Sequence, residues 1–357
     1  MKFVHLADLH LDAKFDSLSS IDGLPQKRRL EQRKALKDVV EYIKENDIKL
    51  FLISGDLYEQ NYIRKSSIEY VNKLFEEIPD TQIFIAPGNH DPYIKNSFYS
   101  TYTWSKNVHI FNENIEKIDL EDAHIYGFGF TDFYCKQSEI EEIQVEEPDD
   151  INILITHGSL DGGSDDLREY NPLRQSKLKQ LDFDYIALGH IHKPYYNEEK
   201  NQKIFYPGST ISLGFDELGE HGVLVGDIEK DELKVKFMTI DPRQYEEKEI
   251  DITEMTSNEE VLEKLQNLVL NNENLYKIIL VGKRYFTLNI DEIKKLNSRE
   301  NIVKIKDKTK VGIDIERIAE ENNVRGIFVR NMLERKEREN LDEDFIEKAI
   351  EIGLEVL

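Results

Sequence analysis

The sequence predicts an α/β fold: two stacked mixed β-sheets flanked by helices, with a small α/β cap domain and a helical tail behind them. Three observations point there. Short apolar runs alternate with helical patterns over the first hundred residues, more closely spaced strands follow from about residue 108, and a charged helical pattern closes the 357-residue chain. The first run, residues 2–7 (KFVHLA), reads as a strand. After it, Leu24, Leu30, Leu36, Val39, Val40 and Ile43 fall at helical spacing. Residues 49–54 and 82–86 are further apolar strands, and a helix over 66–78 between them carries Ile68, Val71, Leu74 and Phe75. Apolar strands separated by helices pair in parallel and are buried on both faces.

Shorter strands are expected at 108–111, 124–128, 151–156, 184–188, 203–206, 222–227 and 233–240. The Asp241-Pro242 step closes a first domain over residues 1–242. Residues 243–311 form a small α/β cap, with helices over 261–270 and 290–296 and a strand over 276–281. Residues 312–357 form the helical tail, with apolar stripes that include Ile318, Ile327, Phe328, Phe345, Ile346 and Ile350. The tail either docks onto a partner or packs back on its own chain. Its basic residues Arg325, Arg330, Arg335, Lys336 and Arg338 interleave with Glu334, Glu337 and Glu339, the pattern of a solvated helix face.

Composition bounds the function. With 39% hydrophobic and 33% charged residues, the chain reads as a soluble globular protein. The single cysteine, Cys135, excludes an internal disulfide framework and suits a reducing compartment. His5 and Asp8 interrupt the N-terminal apolar stretch too early for a secretory signal, and no run of about 18 apolar residues could span a membrane. The expected location is the cytoplasm. A net charge of −24 works against stand-alone binding to a phosphate backbone, which requires clustered cations or a partner that supplies them.

Five short motifs carry chemistry: Asp8-Leu9-His10, Gly55-Asp56, Gly88-Asn89-His90-Asp91, His157-Gly158 and Gly189-His190-Ile191-His192. Each begins where an apolar strand ends, and ligands at the carboxyl ends of strands in an α/β sheet share one crevice. On extended backbone, residues i and i+2 face the same side, so D-x-H and H-x-H can each present two ligands. Two carboxylates, an amide carbonyl and four imidazoles suit Mn, Fe, Zn or Co better than Mg or Ca alone. Seven ligands exceed what one catalytic ion with an open position takes, whereas two ions ~3.5–4 Å apart that share a carboxylate use them all. Such a pair lowers the pKa of a bridging water toward ~7 and clamps a phosphoryl group. His5 reads as a packed histidine, and His109, His124 and His221 lack partner motifs. There is no G-x-S-x-G element and no Walker loop.

These motifs resemble the calcineurin-like metallophosphoesterase superfamily. The resemblance implies two divalent ions, Mn2+ foremost, the first held by Asp8, His10, Asp56 and His192. The second would be held by Asp56, Asn89, His157 and His190, with Asp56 bridging. His90 would act as general acid toward the leaving oxygen and Asp91 would orient it. Tyr206-Pro207-Gly208-Ser209 followed by Phe215-Asp216-Glu217, the cap, and the tail pattern from Gly326 to Leu354 further resemble the SbcD/YhaO type of DNA repair exonuclease subunit. That type implies metal-activated hydroxide attacking a DNA phosphodiester, as exonuclease or endonuclease on double- or single-stranded DNA. It also implies an SMC-like coiled-coil ATPase of the SbcC/YhaN type as partner, and a homodimer. The chain departs from the pattern at Leu57-Tyr58-Glu59, where the type more often has Leu-Phe-Asp. Two other readings stand beside it: a phosphatase or phosphodiesterase acting on nucleotides or phosphoproteins, and a metal-bearing scaffold without catalysis.

Overall fold

The computed structural model describes all residues except 20, 162–169, 197–201 and 231. The chain divides into two units, Met1–Glu246 with Asn272–Leu275, and Glu247–Asn271 with Tyr276–Leu357.

In the first unit, β1 (Lys2–Leu6) is followed by α1 (Leu24–Glu45), β2 (Leu50–Ile53), α2 (Lys65–Glu76), β3 (Gln82–Ile85), the short α3 (Phe98–Thr101) and β4 (Val108–Ile110). Strands β1 to β4 run parallel, as apolar strands joined by helical crossovers must. The second half supplies β5 (Glu116–Asp119), β6 (Ala123–Phe128), β7 (Ile151–His157), β8 (Ser159–Leu160), β9 (Pro172–Leu173), α4 (Gln175–Leu178), β10 (Tyr185–Gly189), β11 (Ile204–Phe205), β12 (Gly222–Glu229) and β13 (Glu232–Thr239). One sheet has the order β13-β12-β1-β2-β3-β4 and the other β11-β10-β7-β6-β5. Both are mixed, because β12 joins β1 antiparallel and β5 joins β6 antiparallel. Phe3, Leu52 and Phe84 of the first sheet share one core with Ile125, Ile153, Tyr185 and Phe205 of the second. The expected two-sheet stack is therefore present. Truncating a core residue such as Ile153 to Ala costs roughly 2–5 kcal/mol.

Helix α1 buries Leu24, Arg28, Gln32, Ala35, Leu36, Val39, Val40 and Ile43. Leu30, expected on that stripe, is 65% exposed because it lies off the i, i+4 row. Two polar residues ride on the buried stripe instead. Arg28 makes a two-point ion pair with Asp241, at 2.9 and 2.7 Å, and donates to Ser212 O at 2.9 Å. Asp241 also accepts from Ser212 N at 2.9 Å, so this pair fastens the segment that precedes Gly214 to the helix.

The second unit holds β14 (Tyr245–Asp251, its first residues in the first unit), β15 (Leu275–Val281) and β17 (Ile302–Asp307) in one sheet, while the two-residue strands β16 (Lys283–Arg284) and β18 (Lys310–Val311) pair with each other. Helices α5 (Asn258–Gln266) and α6 (Ile290–Leu296) pack with the three-stranded sheet in one core around Val261, Ile278 and Ile293. Its remaining helices, α7 (Ile315–Ala319), α8 (Val324–Glu339) and α9 (Glu343–Glu355), share a second core of Ile318, Val329, Ile346, Ile350 and Leu354. Much of the tail's apolar stripe is thus covered by the tail itself, while Ile327 and Phe345 are exposed. Its basic residues are largely paired, Arg335 and Arg338 with Glu339 and Lys336 with Glu343. Strands β5, β14 and β17 are absent from the sequence reading, since their many charged residues leave no apolar run.

His5 is fully buried between the sheets, with Nδ1 2.9 Å from Tyr185 Oη and Nε2 2.7 Å from Ser54 Oγ. Burial pushes its pKa down to about 3. The unfolded chain takes up a proton that the folded chain refuses between pH 6.5 and about 3. The stability due to neutral His5 is therefore complete above the unfolded value and lost as pH falls, by up to about 1.4 kcal/mol per pH unit. Denaturant titrations of the metal-free protein between pH 5 and 6.5 should give a slope shallower by about that amount in His5→Gln than in wild type. Equal slopes would contradict the assignment.

Candidate metal centre

All five motifs lie at the carboxyl ends of strands of the two sheets. Asp8 and His10 follow β1, Asp56 follows β2, Asn89 follows β3, His157 ends β7, and His190 and His192 follow β10. Backbone bonds zip the first two loops together: Asp8 N to Gly55 O at 3.1 Å, His10 N to Asp56 O at 2.9 Å and Leu11 N to Leu57 O at 3.0 Å. The side-chain amide of Gln32 clamps the first loop to α1 through Leu9 O at 2.9 Å and His10 O at 2.7 Å.

The loops are not extended. Asp8, His10, Asp56 and His190 have φ of 51°, 49°, 51° and 101°. The i, i+2 rule for strands therefore does not explain how D-x-H and H-x-H aim their ligands. Left-handed backbone does, at a cost of order 1–3 kcal/mol per residue that the surrounding hydrogen bonds must offset. Two glycines permit the crowding. Gly55 has φ of 84°, and a Cβ on Gly189 would lie 1.9 Å from Ser54 O.

The structure brings the seven expected ligands together. Ligand atoms of Asp8, His10 and His192 lie within 4.8 Å of one another, as do those of Asp8, Asp56 and His157. His157 Nε2 is 3.0 Å from Asn89 Oδ1 and 3.3 Å from Asp56 Oδ2, and His190 Nδ1 is 3.1 Å from the same amide oxygen. The protons explain what this set requires. His10 Nδ1 bonds Glu59 at 2.9 Å, His192 Nδ1 bonds Glu217 at 2.7 Å, and His157 Nδ1 bonds Ser54 O at 2.8 Å. Each Nδ1 thus carries the hydrogen, and the Nε2 atoms present lone pairs to one another and to oxygen. The Nε2 atoms of His10 and His192 are only 3.2 Å apart. Such an array repels itself unless protons or cations sit within it, and it fits divalent ions. In the metal-free chain protons fill that role. Although burial opposes charge, Asp56 pushes His157 up to about 9 and Glu217 does the same for His192.

Two orienting carboxylates were not assigned from sequence. Glu59 accepts from His10 through Oε1 and from His90 Nδ1 through Oε2 at 3.1 Å. Asp91, expected to orient His90, does something else. Its buried carboxylate accepts from Asp56 N, Gly88 N, Leu57 N and Tyr99 Oη at 3.0, 2.7, 2.6 and 2.7 Å. Asp91 thereby ties the loop after β3 to the loop after β2, and the orienting role passes to Glu59. Glu217 Oε2 also accepts from Ser209 Oγ at 2.7 Å and Leu213 N at 3.1 Å. His221, set aside in the sequence, lies 2.8 Å from that hydroxyl. The Tyr206–Ser209 and Phe215–Glu217 segments are thus the support of His192.

A family model of the calcineurin-like phosphoesterases matches residues 1–194. The chain is a calcineurin-like phosphoesterase. Two curated relatives of this phosphoesterase place it with the SbcD/YhaO type. The uncharacterized metallophosphoesterase YhaO of Bacillus subtilis is 25% identical over 264 residues, 71% of this chain. The match spans 64% of that relative's own length. The SbcD subunit of the SbcCD nuclease of Staphylococcus epidermidis is 25% identical over 330 residues, 83% of each chain. Among solved structures, TT1561 of Thermus thermophilus is similar over 66% of this chain and 98% of that one, at 9% identity and a TM-score of 0.39. Among the described residues no helix is long and apolar enough to cross a membrane.

Removing a carboxylate that holds a metal-binding imidazole typically lowers metal affinity 10–100-fold. Calorimetric titration of metal-free Glu217→Gln with Mn2+ should show a loss of roughly that size for one class of site. Wild-type affinity in the variant would contradict the support role.

Proposed function

We propose that this phosphoesterase is a two-metal phosphodiesterase, the nuclease subunit of a DNA repair complex with an SMC-like coiled-coil ATPase, and that Mn2+ is its metal. The observation that carries the reading is the pairing of a seven-donor centre with a half-exposed histidine, His90, beside it. That histidine's ring meets His10 edge-on at 4.8 Å, and its side chain is 44% exposed. The SbcD relative supports the choice of DNA as substrate.

Asp8, His10, Asp56 and His192 would hold one ion, and Asp56, Asn89, His157 and His190 the other. When bound, divalent ions supply Lewis acidity to a phosphoryl group and lower the pKa of a water. The residues of the chain do the rest. Glu59 fixes His90 through Nδ1, so Nε2 is the atom that holds the proton for the departing oxygen. Burial opposes charge on His90, yet Glu59, Asp56 and Asp91 together outweigh it and hold its pKa up at about 9 in the metal-free chain. His10 shares that carboxylate, which couples the position of the acid to that of a ligand. The exposed tail residues Ile327 and Phe345 are candidates for contact with the ATPase, which would also supply the cations that a net charge of −24 denies this chain.

The same net charge favours a second reading, hydrolysis of small nucleotides or of phosphoproteins, since a small substrate needs attraction from the centre alone. Duplex DNA with free ends and bis-p-nitrophenyl phosphate separate the two. The Mn-loaded wild type should cleave both. His90→Ala should lose roughly 10²–10⁴-fold in rate on DNA, whose alkoxide leaving group needs the proton, and much less on the nitrophenyl diester. Metal content should stay unchanged. Wild-type failure on DNA, with and without the ATPase, would sink the nuclease reading, and turnover of the small diester alone would favour the second.

A further inference from the structure

A row of aromatic rings leads away from the metal centre. The His157 and His190 rings meet edge-on at 5.2 Å. Tyr170 lies over His190 at 4.9 Å with 35° between the planes, and Tyr134 follows over Tyr170 at 5.8 Å and 31°. The outermost ring, Tyr134, is 54% exposed. Backbone and side-chain bonds fix the row to the site. Cys135 and Tyr170 form a parallel bridge, and Asn171 N donates to Cys135 O at 2.5 Å. The Asn171 amide donates to His157 O at 2.8 Å, and Ser159 N donates to Tyr170 O at 3.0 Å. Asn171 itself sits at φ of 46°, so this stretch keeps its shape at some conformational cost.

Core packing does not require a tyrosine at an exposure of 54%. A succession of tilted rings that starts on an imidazole of the centre and ends on an exposed tyrosine suits a ligand carrying both a phosphate and flat π-faces at a short distance. Nucleobases meet that description, and stacking on tyrosine tolerates any base. We propose that Tyr134 and Tyr170 form a stacking platform for an unpaired base of a nucleic-acid strand whose phosphate occupies the metal centre. The proposal rests on the phosphodiesterase reading in that it needs a phosphate there. It adds a contact and an order of preference within that reading: single-stranded segments, or duplex ends that fray, bind ahead of fully paired DNA, because a paired base keeps its faces within its own stack. The platform acts without base readout, so it confers no sequence preference.

The test isolates the base from the backbone. Fluorescence anisotropy of the Mn-loaded chain at low salt compares a labelled octathymidylate with an abasic octamer of equal length and charge, both with nuclease-resistant phosphorothioate linkages. The repulsion from the acidic surface is common to both ligands and cancels in the ratio. The wild type should bind the base-bearing strand roughly tenfold tighter, in line with one stacked base. Tyr134→Ala should bring that ratio close to one, while Tyr134→Trp should keep or raise it. A wild-type ratio of one, no binding of either strand, or a ratio unmoved by Tyr134→Ala overturns the platform. Diester hydrolysis by the Mn-loaded chain, measured alongside, separates the two claims. Hydrolysis with a binding ratio of one overturns the platform and leaves the phosphodiesterase. A tenfold ratio without hydrolysis supports the platform and overturns the phosphodiesterase.

Discussion

The buried carboxylate of Asp91 is the contact on which the centre depends. It gathers Asp56 N, Leu57 N, Gly88 N and Tyr99 Oη around one acceptor pair and so sets two ligand loops in fixed relation. Without it, the backbone donors of a left-handed turn at Asp56 would be buried without partners, which costs about 1–3 kcal/mol for each group. The turn itself aims the Asp56 carboxylate at His10 and His157. A single acidic residue thus converts the chemistry of two loops into one geometry.

Around that anchor the site is built outward through successive hydrogen-bonded contacts. The donors come from loops that follow neighbouring strands. The imidazoles are held by Glu59 and Glu217, and Glu217 is in turn held by Ser209 and by the segment that Arg28 and Asp241 fasten to α1. The α1 stripe therefore does more than bury apolar surface. Arg28 and Gln32 occupy two of its buried positions and spend them on the loops of the centre.

The convergence of the seven candidate residues was legible in the sequence because each one follows an apolar strand, and a short motif after such a strand has only one place to go in an α/β sheet. The strands of the stacked sheets were legible for the same reason, with the exception of β5. That strand, with β14 and β17 of the second unit, is too rich in charged residues to give an apolar run. The left-handed backbone at Asp8, His10 and Asp56 left no trace, since only glycine or a turn residue advertises positive φ. Glu59 and Glu217 were missed as orienting groups because their partners lie 49 and 25 residues away, a distance that no periodicity encodes. Phe215-Asp216-Glu217 stood out as a motif, but the partner of its glutamate became visible only in three dimensions.

The central claim is that lone pairs on seven side chains face inward and need two cations. Titrating the metal-free protein with Mn2+, with bound metal counted by elemental analysis and free Mn2+ by electron paramagnetic resonance, tests it most directly. The account predicts that binding saturates at two ions per chain, with a coupled spectrum from ions that share Asp56. Saturation at one ion, or no tight binding at all, would contradict it.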